Sequence, residues 1–330
     1  KDFVGAIEAR ATPAAARDWL AKLREHTDKP VRYLILTHYH AVRVLGASAY
    51  DAEHIVASTA TKELIDERGK QDWDSEFGRM PRLFKQPEEI PGLTHPTTTF
   101  DSHYRIELGG DRGALELSFC GRGHTAGDIA VWHGRSRTLF AGDLVEAQAA
   151  LYTGDAFHFD WAGETLDRIK AFRAENLVGG RGAVARGIEA CDAAIEQTRG
   201  FLNGMIEHVG AVHKRGGTLK EAFDATHAAL APKFGRWPIF EHCLPFDVQR
   251  LWDEFEGIDW PRIWTMERDR EVWAQLQDCG SALREKGAEP RRHSDLATYR
   301  SNPATGLRSR TGGHGHCRRG AGRPDDGPRA

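Results

Sequence analysis

Apolar positions change their period along this chain, and each change predicts an element. Residues 3–8 read as the end of a strand. Thr12-Pro13 follows as an N-cap with proline at the first helical position. Trp19, Leu20 and Leu23 then share one face of a helix that should stop near Asp28-Lys29-Pro30. Residues 31–36 are a nearly continuous apolar run, the mark of a buried strand. A short strand at 54–57 and a helix from about Thr59 come next. Pro81, Pro87, Pro91 and Pro96 make 78–96 a loop. Short strands follow at 97–100, 104–108, 114–119, 129–133 and 138–141, with glycines in the turns. A helix near 163–174, a strand at Leu177-Val178 and the turn Gly179-Gly180-Arg181-Gly182 close this part. The βα and hairpin order calls for sheet layers with helices outside. From 187 to 279 the spacing is helical, with Ile188, Cys191, Ile195, Thr198 and Leu202 on one face. Further helices are predicted near 219–230, 246–255 and 268–279. After Cys279 the periodicity disappears into Arg, Gly, Pro and Ser. Such a segment cannot offset its ordering entropy by burial, so it reads as disordered.

Length then sets the organisation. A chain of 330 residues with 40% hydrophobic content suits two domains or one large α/β domain with additions. The pattern divides it into 1–185, a helical extension at 186–280 and a tail at 281–330. The tail carries 11 Lys and Arg against 5 acids, and the rest 34 against 43. An acidic body of net charge −9 argues against a general nucleic-acid binder. No uninterrupted apolar run is long enough to span a bilayer, so no membrane partner is expected. The chain opens on Lys1 rather than Met, which reads as a fragment or processed form. Cys120, Cys191, Cys243, Cys279 and Cys317 are odd in number and widely spaced, which suits a reducing, cytoplasmic compartment.

The candidate chemistry begins at Thr37-His38-Tyr39-His40, at the carboxyl end of the buried strand. Loops converge functional groups at such ends. Two His separated by one residue can share a cation through their imidazole nitrogens, or can be ordinary loop residues. Two further segments favour the metal. Gly121-Arg122-Gly123-His124-Thr125-Ala126-Gly127-Asp128 precedes a strand, and Leu139-Phe140-Ala141-Gly142-Asp143 ends one. They add a third His and an Asp from separate elements.

In order, spacing and strand context these segments resemble the metallo-β-lactamase-fold hydrolases, whose motifs are THxHxDH, GHTxG, a GD after a strand and a His in a GHG-like turn. The resemblance covers roughly residues 3–182 and implies an αββα four-layer sandwich. It also implies that the N-terminal hairpin which normally opens the fold is largely missing. It assigns one metal to His38, His40 and His124, with Asp143 as a bridging ligand. A second metal would need the Asp and His of the DH pair and the final His. Here those positions are Val42, Arg43 and Arg181. Arginine cannot be deprotonated in a protein and repels a dication. One Zn²⁺ per chain is therefore expected.

Three imidazoles, Asp143 and an open position make a catalytic zinc site. Asp143 could be a fourth ligand or could orient the nucleophilic water, with Glu146 as another carboxylate within reach. Arg43 and Arg181 admit two readings: binding an anionic group on the substrate, or pairing with Asp143 in the vacated space. His242 and Cys243 could reach the site from the helical extension. His158 and Asp160 could line the pocket. His54, His95, His103 and His133 read as surface or strand-edge residues. The expected activity is hydrolysis of a small-molecule ester, lactone, thioester or amide bearing an anionic group. The alternative is a catalytically silent metal- or small-molecule-binding module.

Overall fold

The computed structural model describes residues 3–276. The expected disordered tail lies outside them. The elements in chain order are β1 (Val4–Ile7), α1 (Pro13–Arg24), β2 (Val31–Ile35), α2 (Ala41–Val44), β3 (His54–Ser58), α3 (Thr59–Arg79), β4 (Thr98–Phe100), β5 (His103–Glu107), β6 (Ala114–Phe119), β7 (Ile129–His133), β8 (Thr138–Gly142), α4 (His158–Asp160), α5 (Leu166–Ala171), β9 (Asn176–Gly179), β10 (Ala185–Arg186), α6 (Ile188–Lys214), α7 (Leu219–Phe234), α8 (Phe240–Phe255) and α9 (Met266–Leu276).

Two sheets form. One has the order β1-β2-β3-β4 with every pair parallel. The other has the order β10-β9-β8-β7-β6-β5 and is antiparallel except for the β8–β9 pair. Ile35 and Val56 of the first sheet pack with Ile106, Leu115, Leu117, Ile129 and Val131 of the second, so the sheets meet face to face. The outer face of the first sheet buries Val31 and Leu34 with Ala16 of α1. The outer face of the second buries Leu139 and Leu177 with Ile169, Phe201, Leu202, Leu230, Leu244 and Leu251. Four layers result, with helices outside both sheets, as the resemblance implies.

The helical extension shares that outer core with the second sheet, so it is continuous in packing with the strands. The expected boundary at 185/186 falls within β10. α8 begins at Phe240, six residues before the expected start. Pro245 lies inside α8, where it removes only the bond to the Glu241 carbonyl. Burial of Phe240, Cys243 and Leu244 favours the extra turn. In α1, Thr12 caps the helix through its hydroxyl, as the Thr-Pro pair predicts, and the helix ends at Arg24. Within the expected loop at 78–96, two short 3₁₀ turns occur at Pro81–Leu83 and Pro87–Glu89.

Candidate metal centre

β2 ends at Ile35, and the next five residues carry the first two histidines into the cleft between the sheets. The Thr37 carbonyl accepts from the Ile129 N–H at 3.0 Å, tying this turn to the start of β7. His124 arrives from the turn before β7. Asp128 Oδ2 fixes that turn by accepting from the Thr125 N–H at 2.5 Å. Ser58 Oγ and Thr61 Oγ1 both donate to the Gly127 carbonyl, at 2.6 and 2.9 Å. His38, His40 and His124 are all buried, and one nitrogen from each lies within 4.8 Å of the others.

The nitrogens facing inward can be assigned from the bonds that the outward nitrogens make. The Thr37 hydroxyl donates to Glu8 Oε1, so it accepts from His38 Nδ1 at 3.0 Å and leaves the Nε2 lone pair inward. His38 Nε2 is buried without a hydrogen-bond partner. His40 Nε2 donates to Asp155 Oδ2 at 3.1 Å, which turns Nδ1 inward. His40 Nδ1 and His124 Nε2 then lie 3.0 Å apart. Two lone-pair atoms at that distance repel unless a proton or a cation joins them. Buried imidazoles tied from behind by a carboxylate and a hydroxyl fit a metal ion with three nitrogen ligands.

Protonation follows the same geometry. Burial holds His124 down to about 3 and keeps His38 well below the ordinary imidazole value. Burial would lower His40 as well, but Asp72 and Asp155 outweigh it and raise it to about 9. Burial would also raise the Asp155 carboxyl, yet His40, Arg68 and the Tyr39 hydroxyl, which donates at 2.7 Å, hold it below the ordinary value. Burial, reinforced by Glu76, pushes Asp72 up to about 8.

Asp143 follows β8. Gly142 before it has φ +54°, and a Cβ there would lie 2.6 Å from Thr37 Oγ1, so only glycine fits. Asp143 Oδ2 lies 3.8 Å from His38 Nε2 and 3.6 Å from His124 Nε2. Its other side belongs to the arginines. Arg43 Nη2 donates to Asp143 Oδ1 at 2.5 Å and to the Gly180 carbonyl at 3.0 Å. Arg181 Nη1 donates to Asp143 Oδ2 at 3.1 Å and also to Glu146 Oε1. Burial alone would raise Asp143, but Arg43, Arg181 and the two histidines hold the carboxyl well below its usual range. Burial pushes Glu146 up to about 8. Both guanidinium groups thus sit on Asp143, the second of the two arrangements that the sequence allowed. Arg43 and Arg181 take up the far side of Asp143, and two guanidinium groups there repel a second cation.

Of the other candidates, His242 stays outside the histidine cluster, its Nε2 3.4 Å from Arg79 Nη1. Cys243 packs with Tyr152, Phe246 and Trp264. His158 spends both ring nitrogens, on Glu254 Oε2 at 2.6 Å and Thr153 Oγ1 at 2.7 Å. Asp160 accepts from Arg122 at 2.7 Å. His54, His95 and His103 pair with Glu53, Asp66 and Glu116, and His133 bonds Ser136 at 2.6 Å.

Several residues at the site carried no obvious sequence signal. Asp72, whose Oδ2 accepts from the Ala41 N–H at 2.7 Å, and Arg68 lie on the buried face of α3. Polar residues at helical spacing 68, 72, 75 and 79, in register with Leu64 and Ile65, were the available clue. Tyr152 and Asp155 sit in an irregular loop that α8 holds. The Asp247 carboxylate accepts from the Thr153 N–H at 2.6 Å, and Arg250 Nε donates to the Ala156 carbonyl at 2.8 Å.

Comparison with known proteins bears on this arrangement. A family model described as the metallo-beta-lactamase superfamily matches residues 10–181. The type 2 metallo-beta-lactamase of Bacillus sp. (strain 170) is 26% identical over 167 residues, which is 49% of this chain and 55% of that protein. The chain therefore spans about half the length of that relative. Among solved structures, the metallo-beta-lactamase from Pontibacter korlensis is 21% identical with a TM-score of 0.46, covering 59% of this chain and 82% of that one. That of Hirschia baltica is 20% identical with a TM-score of 0.46, covering 60% and 82%. The matched segment runs over just over half the chain, from the end of β1 to the turn holding Arg181, and so takes in every side chain gathered around Asp143 and the three histidines except Glu8; by that match the chain belongs to the metallo-β-lactamase superfamily.

Proposed function

We propose that the chain is a hydrolase using one zinc ion, held by His38, His40 and His124 with Asp143 facing it. Its substrate is an ester, lactone, thioester or amide bearing an anionic group. The observation that carries this reading is the convergence of His38 Nε2, His40 Nδ1 and His124 Nε2, with Thr37 and Asp155 engaging the opposite nitrogens of the first two. The chemistry that zinc supplies at such a site is a water with a pKa near about 7 and polarisation of the scissile carbonyl.

The protein's own residues orient and exclude. Asp143 stays a carboxylate because two guanidiniums hold it, and its Oδ2 would ligate the ion or accept a hydrogen bond from the attacking water. The rings of Tyr152 and Trp161, 6.2 and 5.8 Å from that of His124, keep bulk water from its flank. In this reading Arg43 and Arg181 replace the charge of a second ion and serve Asp143 first. A substrate anion reaching them meets charges that Asp143 and Glu146 already oppose. Cys120, Cys191 and Cys243 are buried free thiols, which supports a reducing compartment such as the cytoplasm.

The test is a panel of esters, lactones, thioesters and amides in matched anionic and neutral pairs, assayed with zinc and with chelator. Turnover that chelator abolishes and zinc restores is expected. Zinc bound without turnover of any member would leave a silent binding module instead.

A further inference from the structure

Arg79 ends α3, where the helix's carbonyl end favours a cation. Its head is incompletely matched. Nε donates to Ser75 Oγ at 3.2 Å and lies 3.6 Å from Asp269 Oδ2, and Nη1 is 3.4 Å from His242 Nε2. Nη2 is buried with no hydrogen-bond partner. The guanidinium carbon lies 4.5 Å from the centre of the Phe246 ring and 5.3 Å from that of Tyr152. The Tyr152 hydroxyl is also buried and unpartnered. The Tyr152 ring is 5.5 Å from that of His40. Two unspent donors therefore lie about one aromatic ring from the metal centre. Buried donors left unpaired cost free energy, and native structures keep them where a ligand or water completes them.

We propose that Arg79 Nη2 and Tyr152 Oη bind a carboxylate on the substrate. This rests on the hydrolase reading and deepens it by naming the group that is recognised and the residues that recognise it. Arg43 and Arg181 bond directly to Asp143 and Glu146, whereas among the described residues Arg79 meets an acid, Asp269, at 3.6 Å. The groups acting on Arg79 are Tyr152, Glu76, Asp269 and Asp72; Arg79 acts in turn on Asp247 of α8 together with Arg181, and on His242 together with Arg82 and Arg181. One guanidinium edge and one phenol can satisfy a single negative charge, and a phosphate dianion would be left under-compensated. The Arg79 side chain keeps 11% exposure beside its buried Nη2.

Calorimetric titration of the full chain, stripped of metal by chelator, tests this without turnover. The probes are phenylacetate, its neutral isostere phenylacetamide, and inorganic phosphate. Stripping removes the other group that would bind a carboxylate. Phenylacetate should bind at least about tenfold more tightly than the amide, as one charge-assisted hydrogen bond implies. Phosphate should bind no better than the amide. Arg79→Met should erase the preference, Arg79→Lys should reduce it, and Tyr152→Phe should cut it about three- to tenfold. Absent or equal binding of phenylacetate by the wild-type protein overturns the proposal. So does a preference that survives in folded Arg79→Met, or tighter binding of phosphate than of phenylacetate. If Arg79→Met does not fold, Arg79→Lys and Tyr152→Phe decide, and an unchanged preference in both overturns the site. A chain that binds phenylacetate as expected but hydrolyses nothing loses the enzyme reading alone.

Discussion

Replacing Arg43 with Met removes a guanidinium from the far side of Asp143 and keeps a side chain of similar reach. Arg43 is 16% exposed and Asp143 1%, so their 2.5 Å contact is largely dry. Breaking one partner out of a buried pair costs about 3–5 kcal/mol, because the remaining charge loses its compensation. Arg181 stays 3.1 Å from Oδ2 and keeps part of it, which puts the expectation at the low end, about 3 kcal/mol. The bond to the Gly180 carbonyl goes as well. For a folded unit of this size each kcal/mol shifts the melting temperature by roughly 2–4 °C, so a fall of about 6–12 °C is expected. The assay is thermal and urea unfolding of the metal-free chain, with Asp143→Asn and the double variant completing a cycle. A coupling of about 2–3 kcal/mol between the two sites is expected. A melting temperature changed by less than about 2 °C, with no coupling, would refute the ion-pair account. If KM for an anionic substrate rose in that same variant, Arg43 would be a substrate contact.

Other expectations follow from the same geometry. His124→Ala should lose the metal on dialysis, since His38 and His40 alone come from one short segment, and full zinc content in that variant would point to another ligand. Gly180→Ala should destabilise the chain by about 1–3 kcal/mol, because a Cβ there overlaps Asp143 Oδ1 and comes within 2.9 Å of Arg43 Nη2; an unchanged urea midpoint would contradict that close approach. The stabilising effect of zinc should grow with pH. His40, raised to about 9, contributes stability to the metal-free chain fully below its unfolded value of about 6.5 and loses it as pH rises through 9. Asp72 and Glu146, both raised to about 8, act in the same direction, while metal binding needs His40 neutral and expels its proton. The gap in melting temperature between zinc-loaded and chelated protein should therefore widen from pH 6.5 to 9, and a constant gap would contradict the assignment.

The parts of the site legible in the sequence are those carried by local patterns. The strand before Thr37, the turn around His124 and the Gly142-Asp143 pair each pack their signal into a few residues. The positive φ of Gly142 shows why that pair needs glycine. What stayed hidden depends on contacts distant in sequence. Glu8 read as the last residue of a strand, yet its carboxylate holds Thr37 and through it His38. Polar residues on a helix normally meet water, whereas Arg68, Asp72 and Arg79 of α3 turn inward onto Asp155, Ala41 and Tyr152. Tyr152 and Asp155 lie in a segment without period, held by side chains of α8 about a hundred residues later in the chain.

Zinc content is the most direct test. The full chain, loaded with excess zinc, dialysed and measured by elemental analysis, should retain one equivalent. The variant carrying Val42→Asp, Arg43→His and Arg181→His should retain more, if the guanidiniums on Asp143 exclude a second ion as proposed. Two equivalents retained by the unaltered chain would contradict the account, as would none.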